Sequence, residues 1–392
     1  MSLTLSILMV TRERSEDRLY GLGRSLQPIV EALTSKGHRV RYLCQEDLHE
    51  RDFKWRDHFL SWCHQWPYFS HHADREALLG AFVERFQMGF LARSIASSEG
   101  FTRIHFHDPW MAFGFWIAKN IRFTRGLRWG MTEHGFGSYY KATELDGLVQ
   151  SPRTKIWLQK LERFILDRSD WVIAPTQLAL NQLVIDCGLP SQGAHWSVIP
   201  HPRPDFSPLD REQCRRALNV SPDDLVVLGV GRVVPLKRFD RLLEACFQLR
   251  DRIPSLRLVI LGGGDHSSLQ ALAQSVGFKP LILEVCENIQ PWLVAADVYV
   301  SCSKSESFGL ANLEALAQGL PCVCTDVGGV PEVLGDGAEL MPASLDGLVS
   351  CLEALLLSPE RRTTWSKKAL DRATTWPKAD EIADAYEAIY LA

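Results

Sequence analysis

From Leu5 onward, short apolar runs alternate with longer stretches whose apolar residues recur every three or four positions. That alternation predicts strands separated by helices, the rhythm of βαβ units and parallel sheets. In the first half, Leu5–Val10, Arg39–Cys44, Ile104–Phe106, Arg128–Met131 and Trp171–Ala174 read as strands. Leu26–Ser35 and Leu178–Cys187 read as helices, closed by Gly37 and Gly188. In the second half the strands are Leu225–Val230, Leu256–Leu261, Leu281–Val285, Val298–Ser301 and Pro321–Thr325. The helices are Asp240–Leu249, Leu269–Val276 and Asn312–Gln318.

Between the halves, Ile199-Pro200-His201-Pro202-Arg203-Pro204-Asp205 packs three prolines into seven residues, too many for regular structure. The linker is placed there. The pattern predicts an α/β protein of two doubly wound Rossmann-like domains, residues 1–202 and 203–375, with a terminal segment 376–392. In such sheets the ligand lies beyond the C-terminal strand ends, so two such domains would place a site in the cleft between them.

Composition narrows the function. The chain has 392 residues, 46% hydrophobic and 23% charged, which excludes disordered and fibrous classes. Residues 1–202 carry 24 Lys and Arg against 21 Asp and Glu, and the remainder 19 against 26. Neither half has the basic excess that nucleic-acid binding needs. Ten scattered cysteines with no C-x-x-C pair fit reduced thiols in a cytoplasmic setting. The N-terminus reads as a first strand rather than a signal peptide, and no apolar run approaches a membrane span.

The most informative stretch is Gly229-Val230-Gly231-Arg232-Val233-Val234-Pro235-Leu236-Lys237-Arg238. It presents Arg232 and Lys237 where a buried strand ends and a helix begins, an arrangement suited to a diphosphate. A solvated basic loop has the same composition. The second stretch is Ser305-Glu306-Ser307-Phe308-Gly309-Leu310-Ala311-Asn312-Leu313-Glu314. Carboxylates such as Glu306 and Glu314 accept paired hydrogen bonds from sugar or ribose hydroxyls, and Gly309 lets backbone amides approach a phosphate. A charged turn and one surface helix carboxylate would look alike.

These two stretches, with Leu261-Gly262-Gly263-Gly264-Asp265 and Ala296-Asp297-Val298-Tyr299-Val300 between them, resemble the donor domain of the retaining nucleotide-sugar glycosyltransferases of family four. Those enzymes have the double-Rossmann GT-B fold, and the resemblance extends from about Leu5 to Tyr390. Upstream it includes Gly21-Leu22-Gly23-Arg24, Ile104-His105-Phe106-His107-Asp108 and Thr132-Glu133-His134-Gly135. It implies a retaining, metal-independent hexosyltransferase acting on a hydroxyl acceptor, with no cofactor beyond the nucleotide-sugar substrate. It also implies a hinge that closes the two domains over the donor, and a last helix crossing back onto the N-terminal domain.

By residue, the resemblance makes Arg232 and Lys237 the diphosphate cations and Glu306 the contact to sugar hydroxyls. The amides of Phe308, Gly309 and Leu310 fall near phosphate and sugar, and Glu314 on the ribose. His134 falls on the sugar side, and Gly23 on a loop nearing donor or acceptor. His107 and Asp108 are left between a functional role and shaping a strand end. Three departures stand out: Gly-Leu-Gly in the first loop, Pro200-His201-Pro202 at the hinge, and Leu283-Glu284-Val285-Cys286-Glu287 where the nucleobase binds.

Other classes are disfavoured. Neither Gly21-Leu22-Gly23 nor Gly229-Val230-Gly231 completes the G-x-G-x-x-G of a dinucleotide oxidoreductase. A hydrolysing sugar-nucleotide epimerase or a phosphorylase would share the fold. A non-catalytic partner subunit would be expected to have lost donor residues, whereas Arg232, Lys237, Glu306 and Glu314 are all present. No Asp-x-Asp occurs, and His71-His72 are adjacent rather than at i, i+4, so no metal site is expected.

One feature stands outside the resemblance. Trp55, Phe59, Trp62 and Trp66 fall at i, i+4, i+7 and i+11, ending at Pro67, among Arg51, Lys54, Arg56, His58 and His64. Full burial of four such rings would contribute roughly 15–25 kcal/mol as an upper bound. The pattern favours packing onto the N-terminal sheet beside Phe82, Phe86 and Phe90. The alternative is that the stripe lines an acceptor groove or rests in a membrane interface, where a lipid-linked acceptor would be met.

Overall fold

The computed structural model describes residues 4–14, 21–66, 73–121, 126–145, 148, 149, 151–284, 286 and 288–392. The chain divides into two compact units, Met1–Pro200 with Ala379–Ala392, and His201–Lys378. Each unit is built on a six-stranded sheet in which every pairing is parallel.

The first sheet contains β1 (Ser6–Val10), β2 (Arg39–Leu43), β3 (Arg103–Phe106), β4 (Arg128–Thr132), β5 (Val172–Ala174) and β6 (Trp196–Val198), in the order β2-β1-β3-β4-β5-β6. The second contains β7 (Leu225–Val230), β8 (Leu256–Leu261), β9 (Leu281–Leu283), β10 (Val298–Ser301), β11 (Cys322–Thr325) and β12 (Glu339–Met341), in the order β9-β8-β7-β10-β11-β12. Helices cover both faces, which is why the strands read as nearly continuous apolar runs. Two strands escaped the sequence pattern, β6 and β12. Each has three residues and a polar member, Ser197 or Glu339. Strand order reverses between β1 and β3 and between β7 and β10, so the ligand crevice of each sheet is expected at those strand ends.

The helix Gly21–Ser35 begins earlier than expected, because Leu22 extends the apolar face of Leu26, Ile29 and Leu33 back by a turn. Gly23 is therefore a buried helical residue and not part of a loop. Residues 15–20, before this helix, lie outside the described residues, as do Pro67, His71, His72, Val285 and Glu287. The last helix, Ala379–Leu391, belongs to the first unit and packs Ile382, Ala383, Tyr386 and Tyr390 against Leu26, Ile29 and Leu33. Lys36 pairs with Asp384. The division falls at His201 and Ala379, not at Arg203 and Trp376. Trp376 Nε1 donates to the His201 carbonyl at 2.9 Å, and both rings pack edge-on to Phe308. These contacts hold both connecting segments on the second unit.

The aromatic stripe contradicts the packing expectation. Helix Glu50–His64 carries Trp55, Phe59 and Trp62, with Trp66 just beyond its end, and neighbouring rings stand 5.3, 6.1 and 5.5 Å apart. Trp55, Trp62 and Trp66 are 55, 50 and 54% exposed. The helix turns a different face inward. Phe53 packs on the core, Cys63 is buried, and Arg56 and the Asp52 carbonyl bond Glu84 and Gln87 of the helix Ala73–Glu99. Of the next stripe, Phe82 and Phe86 do pack, on Trp110 and Phe113, while Phe90 is partly exposed.

One backbone approach shapes the second unit. A Cβ on Gly262 would lie 1.8 Å from the Gly231 carbonyl oxygen, so the mouths of β7 and β8 close only around glycine. Gly262→Ala is expected to destabilise the unit by about 1–3 kcal/mol or more through overpacking. Gly80→Ala, whose Cβ would meet only Leu60 at 3.7 Å, is the control and should leave melting unchanged or raised. Calorimetry of the two variants checks this, and equal melting temperatures would contradict it.

Candidate functional site

In the second unit the site is assembled where β7 and β10 end. Gly231 leaves β7 with φ +149, and Val233 N–H donates to the Gly263 carbonyl at 2.9 Å. The chain then makes a 3-10 turn over Pro235–Lys237. Arg238 follows in the left-handed region at φ 52, its guanidinium held by Asp240, and opens the helix Phe239–Leu249. This path folds the Lys237 stem back over Gly231, where a Cβ would come within 3.3 Å of Lys237 Cε. Arg232 is exposed and has no side-chain partner among the described residues.

The loop after β10 meets this turn. Lys304 N–H donates to the Leu236 carbonyl at 2.8 Å, joining the two segments. Gly329 N–H donates to the Glu306 carbonyl at 2.9 Å, and Thr325 Oγ1 to the Ser303 carbonyl at 2.7 Å. So fixed, the partly buried Glu306 carboxylate accepts from Lys237 Nζ and, at 3.3 Å, from Ser303 Oγ. Gly309 at φ +81 then starts the helix Leu310–Ala317, and a Cβ there would strike Asn312 Nδ2 at 2.4 Å. Asn312 is itself held by the Tyr299 hydroxyl at 2.8 Å. The Asn312 and Leu313 amides bond the Gly309 carbonyl, which leaves those of Leu310 and Ala311 as the helix's open N-terminal donors. Phe308 is buried, and Glu314 is buried in the second helical turn. Lys237, Glu306 and the start of the helix Leu310–Ala317 thus meet at one strand-order reversal. That combination suits a diphosphate bearing hydroxylated groups.

Residues that the sequence reading missed brace this site. His201 lies 4.9 Å from the Phe308 ring and Trp376 5.6 Å, from opposite ends of the unit's sequence. Burial pushes the His201 pKa down to about 4, so it packs as a neutral ring. Ser303 and Asn312 give no signal in a single sequence, since only the fold brings them to Glu306 and Gly309.

In the first unit, His107-Asp108 follow the end of β3 and Glu133-His134 the end of β4. His107 Nδ1 lies 2.8 Å from His134 Nε2. Asp108 has a structural role: it accepts from the Trp110 amide at 2.8 Å, at the start of the helix Pro109–Ile121, and from Arg85 Nε at 2.9 Å. Glu133 is buried, and burial, then Glu162 and Asp108, hold its carboxyl well above the usual range. The segment after His134 is clamped by two carboxylates. Asp186 takes the Ser138 amide at 2.9 Å, and Glu162 takes those of Tyr139 and Tyr140 at 2.6 and 2.8 Å. Among the described residues no three His, Cys, Asp or Glu side chains gather with metal-ligand spacing. No described helix is long and apolar enough to cross a membrane.

Comparison with known proteins covers both units. Residues 20–203 match the family model "Glycosyltransferase Family 4" and residues 210–372 the model "Glycosyl transferases group 1". The chain is similar to a D-inositol 3-phosphate glycosyltransferase from Kribbella flavida, 29% identical over 311 residues, covering 73% of this chain and 72% of that one. A namesake from Actinosynnema mirum is 29% identical, covering 68 and 69%. Among solved structures it is similar to sucrose-phosphate synthase from Thermosynechococcus elongatus, with a TM-score of 0.75, 20% identity and 98% of each chain covered. Anabaena Alr3699/HepE in complex with UDP and glucose has a TM-score of 0.72 at 15% identity, covering 99% of this chain and 100% of that one. WaaG, a glycosyltransferase involved in lipopolysaccharide biosynthesis, has a TM-score of 0.70 at 17% identity, covering 98 and 99%. With one family model on each half and one fold across the whole length, the chain belongs to the nucleotide-sugar glycosyltransferases of family four and has their GT-B fold.

Proposed function

We propose that the second unit binds a nucleoside-diphosphate sugar at the mouth of β7 and β10, and that the hexosyl unit passes to an acceptor hydroxyl with retention and without a metal ion. The observation that carries this reading is the Lys237–Glu306 contact at the strand-order reversal, beside the N-terminus of the helix Leu310–Ala317. Without donor, the lysine and the glutamate satisfy each other. With donor, Lys237 and the exposed Arg232 turn to the diphosphate, with the amides of Phe308, Gly309 and Leu310. Glu306 is released to the sugar hydroxyls, and Glu314 takes the ribose. His134 lines the sugar side.

In the reaction the anomeric C–O bond to the leaving diphosphate breaks as the acceptor oxygen attacks from the same face. The acceptor proton passes to the leaving phosphate oxygen. The chain's contribution is positioning and charge stabilisation. A uridine nucleotide is the first donor to test, since HepE is described with UDP and with UDP-glucose.

The exposed tryptophans support a finer reading of the acceptor side. Three half-exposed indoles on one helix edge have the amphipathic character of rings seated at a membrane interface. We read this edge as the contact through which the enzyme meets a lipid-borne acceptor.

Four outcomes are expected. Arg232→Ala and Lys237→Ala should each lower transfer roughly 30- to 1000-fold, the effect of removing one preorganised charge donor. Glu306→Gln should cripple transfer but keep or tighten nucleoside-diphosphate binding, because Lys237 loses its competing partner. Loss of nucleotide with activity retained would refute that role. NMR of the product should show the donor's anomeric configuration, and inversion would contradict the same-face mechanism. Finally, Trp55→Ser with Trp62→Ser should keep thermal stability and donor turnover while losing flotation with anionic liposomes. A collapse in melting temperature would point to packing instead.

A further inference from the structure

The first unit stacks three histidines near the ends of β3 and β4, and the proposed donor chemistry uses only His134. His105, on β3, is fully buried. The Trp171 Nε1–H, which can only donate, lies 3.1 Å from His105 Nδ1. That nitrogen therefore carries no proton, and His105 Nε2–H donates to Thr132 Oγ1 at 2.8 Å. The Tyr390 hydroxyl of the last helix approaches the same Nδ1 at 2.9 Å. Burial, and then the neighbouring His134, push the pKa of His105 down to about 3, so the ring stays neutral. It stacks on His107 with centroids 4.8 Å apart and planes inclined by 27°. His107, nearly buried, holds its backbone N–H on the Val10 carbonyl at 3.1 Å.

His107 is thus fixed in place by a neutral ring of set tautomer on one side and by β1 through its backbone. Its Nδ1 then meets Nε2 of His134 at 2.8 Å. Two neutral imidazoles that face nitrogen to nitrogen at this distance need one proton between them, so one donates and the other accepts. The tautomer of His134 is therefore tied to that of His107, and a change at His107 changes which nitrogen of His134 carries the proton.

We propose that His107 is a positioning residue, which holds His134 in a single tautomer and orientation for the sugar side of the reaction. The proposal rests on the reading of His134 given above. It adds the claim that the β3 end and the last helix, through Tyr390, His105 and His107, set the state in which His134 is presented. For a histidine that ligates a metal, the partner that fixes its tautomer is typically worth ten- to hundredfold in activity, and the same scale is expected here. Packing alone would be served by any side chain that fills the same space.

The test reads the tautomer directly, in full-length enzyme carrying ¹⁵N-histidine, at a pH where His134 is neutral. Three variants are compared with the parent. His107→Leu fills space without a nitrogen. His107→Asn places an amide where Nδ1 stands. His107→Gln places it one methylene further out, and serves also if the leucine variant does not fold. The parent should show His134 in one tautomer, the leucine and glutamine variants a mixture, and the asparagine variant the parental state. Donor kcat should fall roughly ten- to hundredfold in the leucine and glutamine variants and recover with asparagine, while KM stays within about twofold. A mixture in the parent, or an unchanged His134 tautomer in the leucine variant, overturns the positioning role. A tautomer that shifts while kcat does not move overturns the reading of His134 itself.

Discussion

Parallel strand pairing is the constraint on which the rest depends. Every strand in both sheets runs the same way, so every C-terminal end emerges along one edge of its sheet. Each crossover must return by a helix, and the helix that follows a strand starts at that same edge. Strand mouths, loops and positive helix ends are therefore gathered by topology before any side chain is chosen. Where strand order reverses, neighbouring crossovers leave to opposite faces and open a crevice. In the second unit that crevice holds Lys237, Glu306 and the first turn of the helix Leu310–Ala317.

Within this frame, glycines decide how closely the backbone can gather. Gly262 lets the end of β8 come against the Gly231 carbonyl, and the open space at Gly231 lets the Lys237 stem lie across it. Gly309 supplies a left-handed turn packed against Asn312. The residues around the crevice are then held by neutral neighbours: Ser303 on Glu306, Tyr299 on Asn312, and His201 and Trp376 on Phe308. The partly buried lysine and glutamate are each other's partner, which avoids leaving either charge uncompensated. On the proposed reading, a diphosphate offers Lys237 a stronger anion and frees the carboxylate for neutral hydroxyls.

The sequence carried the strands with long apolar runs, the two loops that meet at Lys237 and Glu306, and a break near Pro200, because each has a local signature. Strands β6 and β12 were illegible at three residues each. The start of the first helix was misread, because Gly21 and Gly23 resemble a loop while Leu22 places them on a helical face. The aromatic stripe was read with the right periodicity and the wrong partner. Period shows that a face exists, and only tertiary structure shows that Phe53 and Cys63, not the tryptophans, were turned inward. His107 was ambiguous because its meaning lies in contacts with His105 and His134, which stand two and 27 positions away.

The central claim is that the mouth of β7 and β10 is the diphosphate site. A crystal structure with an unhydrolysed nucleotide sugar tests it most directly. The account predicts the diphosphate within hydrogen-bond reach, about 2.8 Å, of Lys237 Nζ and the Arg232 guanidinium, capped by the Gly309 and Leu310 amides, with Lys237 withdrawn from Glu306. A diphosphate bound elsewhere, with the Lys237–Glu306 contact intact, would contradict it.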